Sequence, residues 1–415
     1  MAVQSTEKPG NPPKRSDRRR WRATAMCFPV ALMLALSACN GGSSPSGNDL
    51  RQTTKLSTVA DLGERIFKDV SLSVSGRMSC ATCHSPDNAY AGADGRAVPL
   101  GGANLDQPGF RNAPSLRYLS FSPGFSFAND GTPTGGFNRD GRAADLSQQA
   151  RRPFMAAHEM ANPGAGDVID KLRRATYADD FKRVFGADIF NRPDDAFDRV
   201  TLALAQYQKD DPDFHPFDSK YDFFLAGRVK LTDQELRGLA LFNATEKGNC
   251  AACHPSVKSR DGSPPLFTDF TYDNIGVPRN REIPATADAT YFDMGICGPD
   301  RQDLTARQDL CGAFKVPTLR NIDKTAPYFH NGHFNTLKEV LGFYVRRDTN
   351  PEEWYPKNPD GSVRKFDDLP IQLRGNVNIS EGPYNRRPGM SPALSEPEID
   401  DVIAFLKTLT DGYKP

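Results

Sequence analysis

Apolar residues recur at helical spacing in several separate stretches of this chain. The clearest are residues 168–185, 194–208 and 336–346, and a last stretch begins near Ser395. No convincing set of alternating strands appears. In three places Ser or Thr is followed three residues later by Glu, the spacing of a capping box, at Thr232, Thr336 and Ser395. The pattern predicts a mainly α fold, in which long loops connect fairly short helices.

Two copies of a Cys-x-x-Cys-His pentapeptide stand far apart in the chain, CATCH at 80–84 and CAACH at 250–254. Two thiols at this spacing can reach the two vinyl groups of one porphyrin, and the following His can ligate its iron. A redox Cys-x-x-Cys needs no adjacent His, and a zinc site would have to combine both distant motifs. The sequence therefore predicts two covalent haem c groups. Their expected attachment residues and proximal ligands are Cys80, Cys83, Cys250, Cys253, His84 and His254.

Each motif follows an amphipathic stretch, residues 62–67 before the first and 236–242 before the second. This looks like one haem domain duplicated, and it predicts two c-type cytochrome domains whose long loops wrap round the haems. We expect the N-terminal haem domain over residues 57–225 and the C-terminal one over residues 226–415.

The first 38 residues have the features of a bacterial export signal. A basic region precedes the apolar run 23–38, which is short for a membrane span. The run leads into Leu-Ser-Ala-Cys39, which looks like a lipobox, although an ordinary cleavage site before a cysteine is the alternative. We expect lipid on Cys39 to be the only membrane contact, residues 39–56 to form a flexible tether, and the protein to face the periplasm, with Asn40 favouring the outer membrane.

The balance of charged residues and the two cysteines outside the haem motifs further limit the classes of protein to which this chain can belong. Basic and acidic residues balance at 52 each, but residues 1–38 are basic, and the rest carries 45 basic and 50 acidic residues. No basic stripe suggests nucleic-acid binding. Cys297 and Cys311 belong to neither haem motif; because export favours oxidation, we expect a disulfide between them, with free thiols as the alternative.

Several segments resemble the bacterial dihaem cytochrome c peroxidases and their relative MauG. They include LGERIFKDVSLSVSGRMSCATCH, FRNAPSLRYLSF, RDGRAADLSQQARRPF and FKVPTLRNIDKTAPYFHNGHFNTLKEVLGFY. The likeness runs in order from about residue 60 to residue 408. The region GICGPDR…CGAFKVPTLRN and the tail RDTNPEEWYPKNPDGSVRKFDDLP look most like the MauG-like subgroup typified by MbnH.

The resemblance implies an open first haem. The peroxidases keep a His soon after their first motif that must leave the iron before peroxide binds, whereas this chain has no His between His84 and His158. Glu159 falls at the family's distal acid/base position, where a carboxylate can move a proton during cleavage of peroxide. Gln149 falls at the amide that orients peroxide.

For the second haem, Tyr344 falls where the peroxidases have a Met ligand. A phenolate in place of Met is expected to lower the iron's potential. His333 and Met294 are rivals for this position. His330 matches a family histidine near the second haem.

The family also places a calcium ion between the haems, and its ligands would correspond to the Asn112 side chain and the Thr325 and Pro327 carbonyls. These are the oxygen donors that calcium prefers. One departure stands out, because the family usually has a Trp between the haems and this chain has Arg139.

The resemblance thus implies a periplasmic dihaem oxidoreductase. It would react with hydrogen peroxide at the open N-terminal haem and use the high-valent state to oxidise a side chain, with Trp expected, on a partner protein. The alternative is a peroxidase that reduces hydrogen peroxide with electrons from a small cytochrome or cupredoxin. A plain electron carrier is the third possibility, but it would need two strong axial ligands on each haem.

Overall fold

The structure is a computed structural model that describes residues 58–92 and 94–415. The predicted signal peptide, Cys39 and the whole of the predicted tether lie outside the described residues. The fold is mainly helical, as the sequence predicts. The α-helices of the described residues are α1 (Thr58–Lys68), α2 (Cys80–Cys83), α3 (Leu146–Met155), α4 (Ala165–Leu172), α5 (Ala178–Phe185), α6 (Pro193–Asp210), α7 (Lys220–Leu225), α8 (Asp233–Asn243), α9 (Leu337–Arg346) and α10 (Glu396–Lys407).

Strands in the described residues are two residues long and form three antiparallel pairs. In the first pair Leu100 lies opposite Pro108, in the second Ser126 opposite Thr134, and in the third Tyr272 opposite Lys315. The paired strands are β1 (Leu100–Gly101) with β2 (Gln107–Pro108), β3 (Ser126–Phe127) with β4 (Pro133–Thr134), and β5 (Tyr272–Asp273) with β6 (Phe314–Lys315).

The three predicted capping boxes are all present. Thr232 precedes α8, Thr336 precedes α9 and Ser395 precedes α10, and each side chain pairs with the backbone of the Glu three residues later. Each box satisfies backbone N–H groups that a helix leaves without partners in its first turn. Local sequence therefore fixes where the helices of the C-terminal half begin.

The N-terminal half packs around the crossing of α1 and α6. Gly63 lies at this crossing, where a Cβ atom would come within 2.0 Å of the Ala203 carbonyl oxygen. Phe67, one turn further along α1, packs edge-on against Tyr207 and Phe214 at centroid distances of 5.6 and 6.3 Å. Close helix contact and aromatic packing together bury the apolar face that leads into the first Cys-x-x-Cys-His motif.

The C-terminal half repeats this arrangement with α8 and α10. Gly238 lies at the crossing, and a Cβ atom there would come within 2.0 Å of the Asp401 carbonyl oxygen. Phe242 follows one turn later and packs against Phe405 at 5.2 Å and Phe267 at 6.2 Å. The shared pattern of Gly and then Phe, each on a helix that precedes a haem motif, agrees with a duplicated unit. The domain boundary near residue 225 stays a prediction.

The structure divides one predicted helix. Residues 168–185 show continuous helical periodicity, but α4 ends at Leu172 and α5 begins at Ala178. The intervening turn brings Tyr177 inward, where its hydroxyl donates to Asp69 Oδ2 at 2.7 Å. A tertiary hydrogen bond from a buried phenol thus interrupts a pattern that is continuous in sequence.

The expected disulfide is present, between Cys297 and Cys311. Both half-cystines are buried and pack with Leu373. Across residues 58–92 and 94–415, no helix combines the length and the apolar character of a membrane span.

Candidate functional site

Both Cys-x-x-Cys-His motifs fold into a single tight turn. In the first, α2 carries the two thiols, and the His84 N–H donates to the Cys80 carbonyl oxygen at 2.9 Å. In the second, a 3₁₀ turn takes the place of α2, and the His254 N–H donates to the Cys250 carbonyl oxygen at the same distance. Such a turn brings two thiols and an imidazole to one side of the backbone, as a single porphyrin requires.

The two imidazoles are oriented in the same way. His84 Nδ1 lies 3.0 Å from the Tyr90 carbonyl oxygen and 3.1 Å from that of Pro114. His254 Nδ1 lies 2.7 Å from the Phe267 carbonyl oxygen. A carbonyl oxygen only accepts, so Nδ1 carries the proton and Nε2 keeps its lone pair. Burial lowers the pKa of both histidines, which favours the neutral ring that a metal ligand needs.

The motif thiols are poor candidates for redox catalysis. None of the four cysteines is disulfide-bonded. Burial raises the pKa of Cys80, Cys83 and Cys250 to about 12. Catalytic Cys-x-x-Cys pairs have a lowered thiol pKa, because the thiolate is the nucleophile. Inert, buried thiols beside an oriented imidazole fit covalent attachment of a group that fills an apolar pocket.

A cavity of about 310 Å³ adjoins the second motif. Cys250, Cys253 and His254 line it, and so does Tyr344 from the last turn of α9. Its volume lies at the lower end of the roughly 300–1,000 Å³ of ligand and cofactor sites. The structure therefore brings Tyr344 to the motif that the resemblance assigns it to. Of its two rivals, neither His333 nor Met294 lines this cavity.

Tyr344 is in contact with a second tyrosine. Its ring stacks on Tyr384 with centroids 5.9 Å apart, and the Arg347 guanidinium carbon lies 4.3 Å from the Tyr384 ring centroid. Burial raises the pKa of Tyr344, and the nearby Cys253 and Cys250 thiols raise it further. The phenol therefore stays protonated on its own, and ionisation would need the charge of a bound metal ion.

The first motif adjoins a smaller cavity of about 200 Å³, whose lining includes Cys83, Leu100 and Leu105. The backbone of Glu159 is held beside β1. The Gly102 N–H donates to the Glu159 carbonyl oxygen at 2.8 Å, and a Cβ atom at Gly101 would lie 2.9 Å from Glu159 Cα. Burial raises the pKa of Cys80 and Cys83, and the Glu159 carboxylate raises it further. Glu159 thus lies close to the first motif.

Glu159 lies among charged side chains. Burial raises its pKa, whereas Arg152 and Arg142 oppose this effect and Asp300 adds to it. Arg152 binds Asp300 with two hydrogen bonds of 2.7 and 2.8 Å. Burial opposes ionisation of Asp300, but the arginines outweigh it and lower the pKa of Asp300 to about 2. A carboxyl with a raised pKa near a cofactor pocket is suited to proton transfer.

Comparisons with known proteins agree with this geometry. The model of the di-haem cytochrome c peroxidase family matches residues 57–230. The methylamine utilization protein MauG of Paracoccus denitrificans is 35% identical over 86% of this chain and 90% of its own length. The chain belongs to the dihaem cytochrome c peroxidase and MauG family. It is accordingly a haem-dependent oxidoreductase of a family that carries two haems.

Two solved structures extend this assignment. The diheme peroxidase BthA from Burkholderia thailandensis is 38% identical with a TM-score of 0.78, and the match covers 86% of each chain. A MauG-like protein associated with microbial copper homeostasis is 28% identical with a TM-score of 0.60, over 87% of this chain and 91% of that one. The family resemblance predicted from sequence is confirmed.

Gln149 is the other residue predicted to lie on the distal side of the first haem. Gln149 is half-buried on α3, the helix that ends just before Glu159. Its role in orienting peroxide stays a prediction. His158, to which the sequence assigns no role, lies beside Glu159: its Nε2 is 3.7 Å from Glu159 Oε1, and its ring packs against Phe110 at 4.8 Å.

The residues predicted to bind calcium line the cavity beside the second motif. Asn112, Thr325 and Pro327 all contribute to its wall, together with Arg139 and His330. The Arg139 Nη2 group donates to Asn112 Oδ1 at 2.9 Å, and its Nε donates to the Asn112 carbonyl oxygen at 3.2 Å. Asn112 is the only one of the three that is predicted to bind calcium through its side chain. Its side-chain and carbonyl oxygens thus both accept hydrogen bonds from the Arg139 guanidinium. These residues do not fit a calcium ion as they stand, and the predicted ion receives no support here.

Sequence reasoning missed the partners of the predicted residues. Tyr384 against Tyr344, Arg152 and Arg142 near Glu159, and Arg139 on Asn112 are all separated in sequence or belong to loops without a periodic pattern. The family's Trp position drew attention to Arg139, but nothing in the sequence indicates which group its guanidinium binds.

Proposed function

We propose that this protein is an exported dihaem oxidoreductase that reacts with hydrogen peroxide at its first haem and oxidises a side chain of a partner protein, with Trp as the expected target. The observation that carries the proposal is the difference between the polar groups at the two motifs. Glu159, a carboxyl with a raised pKa, lies near the first motif, and Tyr344, a phenol, lies in the cavity of the second. The Glu159 carboxyl is suited to proton transfer, and the Tyr344 phenol is suited to binding a metal ion.

The chain holds the two haems by the same chemistry in both halves. The four motif thiols would form thioether bonds to the vinyl groups, and the Nε2 atoms of His84 and His254 would bind iron. The hydrogen bonds at Nδ1 fix both rings and leave Nε2 available. When bound, the haems supply the redox chemistry, which is the uptake of oxidising equivalents from peroxide.

Glu159 provides the proton transfer that cleavage of peroxide requires. Its carboxylate would take the proton from the peroxide oxygen nearer the first haem and return it to the leaving oxygen, which departs as water. Burial makes the Glu159 carboxylate a stronger base for taking the proton up, while Arg152 and Arg142 stabilise the ionised form and so favour its return. Since no His lies between residues 84 and 158, we expect this side of the haem to be open without prior reduction.

Tyr344 distinguishes the second haem from an ordinary electron-delivery site. A neutral Met ligand raises an iron's potential, whereas an anionic phenolate would lower it. Tyr344 lies beside the Cys250 and Cys253 thiols and is packed on Tyr384, so its ring is held in the cavity. The second haem would then share the oxidising equivalents rather than deliver electrons to the first.

Location and partner are the remaining parts of the proposal. Haem attachment and the Cys297–Cys311 disulfide both suit an oxidising compartment. We therefore place the protein in the periplasm, held by lipid on Cys39 at the outer membrane, where it would meet a periplasmic protein substrate or redox partner.

A dihaem peroxidase that takes electrons from a small cytochrome or cupredoxin is the second candidate. The likeness to BthA, itself described as a diheme peroxidase, favours it. Both candidates use Glu159 in the same way, but only this one needs an external electron donor.

Stopped-flow mixing with hydrogen peroxide tests the proposal. The oxidised, haem-loaded protein should react as fast as a sample first reduced by one electron. Steady-state oxidation of a reduced small cytochrome or cupredoxin should be negligible. Reaction only after reduction, together with rapid donor turnover, would replace the proposal with the peroxidase.

A further inference from the structure

Arg139 lies where the two haem-bearing halves meet. Its side chain lines the cavity that contains the second motif, and its carbonyl oxygen accepts from the Lys315 N–H at 2.8 Å. Asn112, which binds its guanidinium, comes from the N-terminal half, but the Asn112 N–H donates to the His330 carbonyl oxygen of the C-terminal half at 2.7 Å. The Arg139–Asn112 pair is therefore held from both sides.

The guanidinium occupies both oxygens that Asn112 can offer. Nη2 donates to Oδ1 at 2.9 Å and Nε donates to the carbonyl oxygen at 3.2 Å. The amide is oriented for this role, because its Nδ2 points the other way, to the Ala97 carbonyl oxygen at 3.5 Å. A calcium ion would need Oδ1 at roughly 2.3–2.6 Å, so the guanidinium and the ion cannot share this oxygen in the observed geometry.

The charges around Arg139 also disfavour a divalent cation. Burial lowers the pKa of Arg139 and of Lys315; the charge of Arg111 lowers that of Arg139 further, and the charge of Arg139 lowers that of Lys315 further. Asp140 and Asp293 each bind Arg111 at 2.6 Å, and their two charges offset two of the three positive charges of Arg111, Arg139 and Lys315. Neutral amide and carbonyl oxygens would then have to hold a divalent ion beside a group that keeps one net positive charge.

No acidic cluster offsets this repulsion. Within residues 58–92 and 94–415, no group of three His, Cys, Asp or Glu side chains could hold a metal ion. Calcium affinity falls as the charge of the ligand set falls. By contrast, a guanidinium is planar and has several N–H donors in fixed positions. It can therefore donate hydrogen bonds to neutral oxygens placed as the two oxygens of Asn112 are.

We propose that the Arg139 guanidinium takes the place of the inter-haem calcium ion, so that this protein binds no calcium at Asn112 and needs none for its integrity. The cation that joins the halves is part of the chain and cannot be removed by a chelator. This goes beyond the proposed reaction, which uses neither calcium nor Arg139.

The test uses the haem-loaded full chain and calcium chloride as the probe. After dialysis against EDTA and then against buffer, the wild type should contain no bound calcium by elemental analysis. It should give no binding heat on titration, and its Tm and visible spectrum should be the same with EDTA and with calcium. One retained calcium per chain, or a Tm that rises with calcium, would overturn the proposal without any variant.

Three variants identify the group that excludes the ion. Arg139→Gln removes the charge and should gain calcium binding with a calcium-dependent rise in Tm. Arg139→Lys keeps the charge, so it should bind no calcium and its Tm should not change with calcium. The same is expected of Arg260→Gln, which changes an exposed arginine elsewhere. If Arg139→Gln ignores calcium as the wild type does, the guanidinium is not what excludes the ion, and the proposal fails.

Discussion

Replacing Glu159 with Gln should slow the reaction with hydrogen peroxide while leaving the haem sites intact. The substitution keeps size and hydrogen-bonding capacity but removes the group that takes up the proton. General acid–base catalysis contributes about 10²–10⁴-fold to rates. Arg152 and Arg142, whose charges act on Glu159, remain in the variant and can still stabilise the charge that develops on the leaving oxygen. We therefore expect the low end of that range, a loss of about 10²-fold.

The pH dependence provides a second readout. Burial raises the pKa of Glu159 above its ordinary value. The carboxylate is the form that takes the proton, so the wild-type rate should rise with pH through this raised pKa and then level off. Glu159→Gln should lose that step. Stopped-flow spectroscopy of the oxidised protein over a range of pH measures both effects.

The Glu159→Gln substitution should slow the reaction without lowering thermal stability at neutral pH. Because the pKa of Glu159 is higher in the folded than in the unfolded state, its favourable contribution is present at low pH and is lost as pH rises through the folded pKa. At neutral pH the ionised carboxylate is therefore unfavourable, and Glu159→Gln should melt no lower than wild type. Glu352→Gln, which changes an exposed carboxylate of the C-terminal half, is the control. A wild-type rate in Glu159→Gln, or an equal loss in the control, would refute the assignment.

Three further results are expected. Tyr344→Met should raise the second haem's potential in a redox titration and Tyr344→Phe should change its EPR signal, whereas spectra unchanged in both would exclude Tyr344 as a ligand. In urea unfolding, Gly63→Ala should lower the free energy of unfolding by about 1–3 kcal/mol, because its Cβ clashes with the α6 backbone. Gly166→Ala has open space around it and should raise the free energy of unfolding by about 0.5–1 kcal/mol. Equal effects of the two substitutions would contradict the packing described. Replacing Cys297 and Cys311 by Ser should cost about 3 kcal/mol for a loop of this length, and an unchanged midpoint would contradict a stabilising disulfide.

Much of the fold follows from local signals. The capping boxes at Thr232, Thr336 and Ser395 mark helix starts because the side chain and backbone that pair are only three residues apart. The haem motifs are equally local, since five consecutive residues carry both thiols and the imidazole. Such features need no knowledge of the rest of the chain.

The features that sequence reasoning missed depend on distant contacts. The break between α4 and α5 depends on a bond from Tyr177 to Asp69, which is 108 residues away. Helix α3 has a single Asp145 cap and a Pro in its interior, which weakens its helical pattern. Arg139 reaches Asn112 across two loops without periodicity. Loops carry most of the polar contacts around the site, and their geometry is set by tertiary packing.

The most direct test of the central claim is an EPR and visible titration of the fully oxidised, haem-loaded protein with one equivalent of hydrogen peroxide and no reductant. Reaction at an open first haem, shared with a Tyr344-ligated second haem, predicts rapid loss of both ferric signals and a long-lived product spectrum. If both ferric signals persist until one haem has been reduced, the first haem is not open and the two do not share the oxidising equivalents.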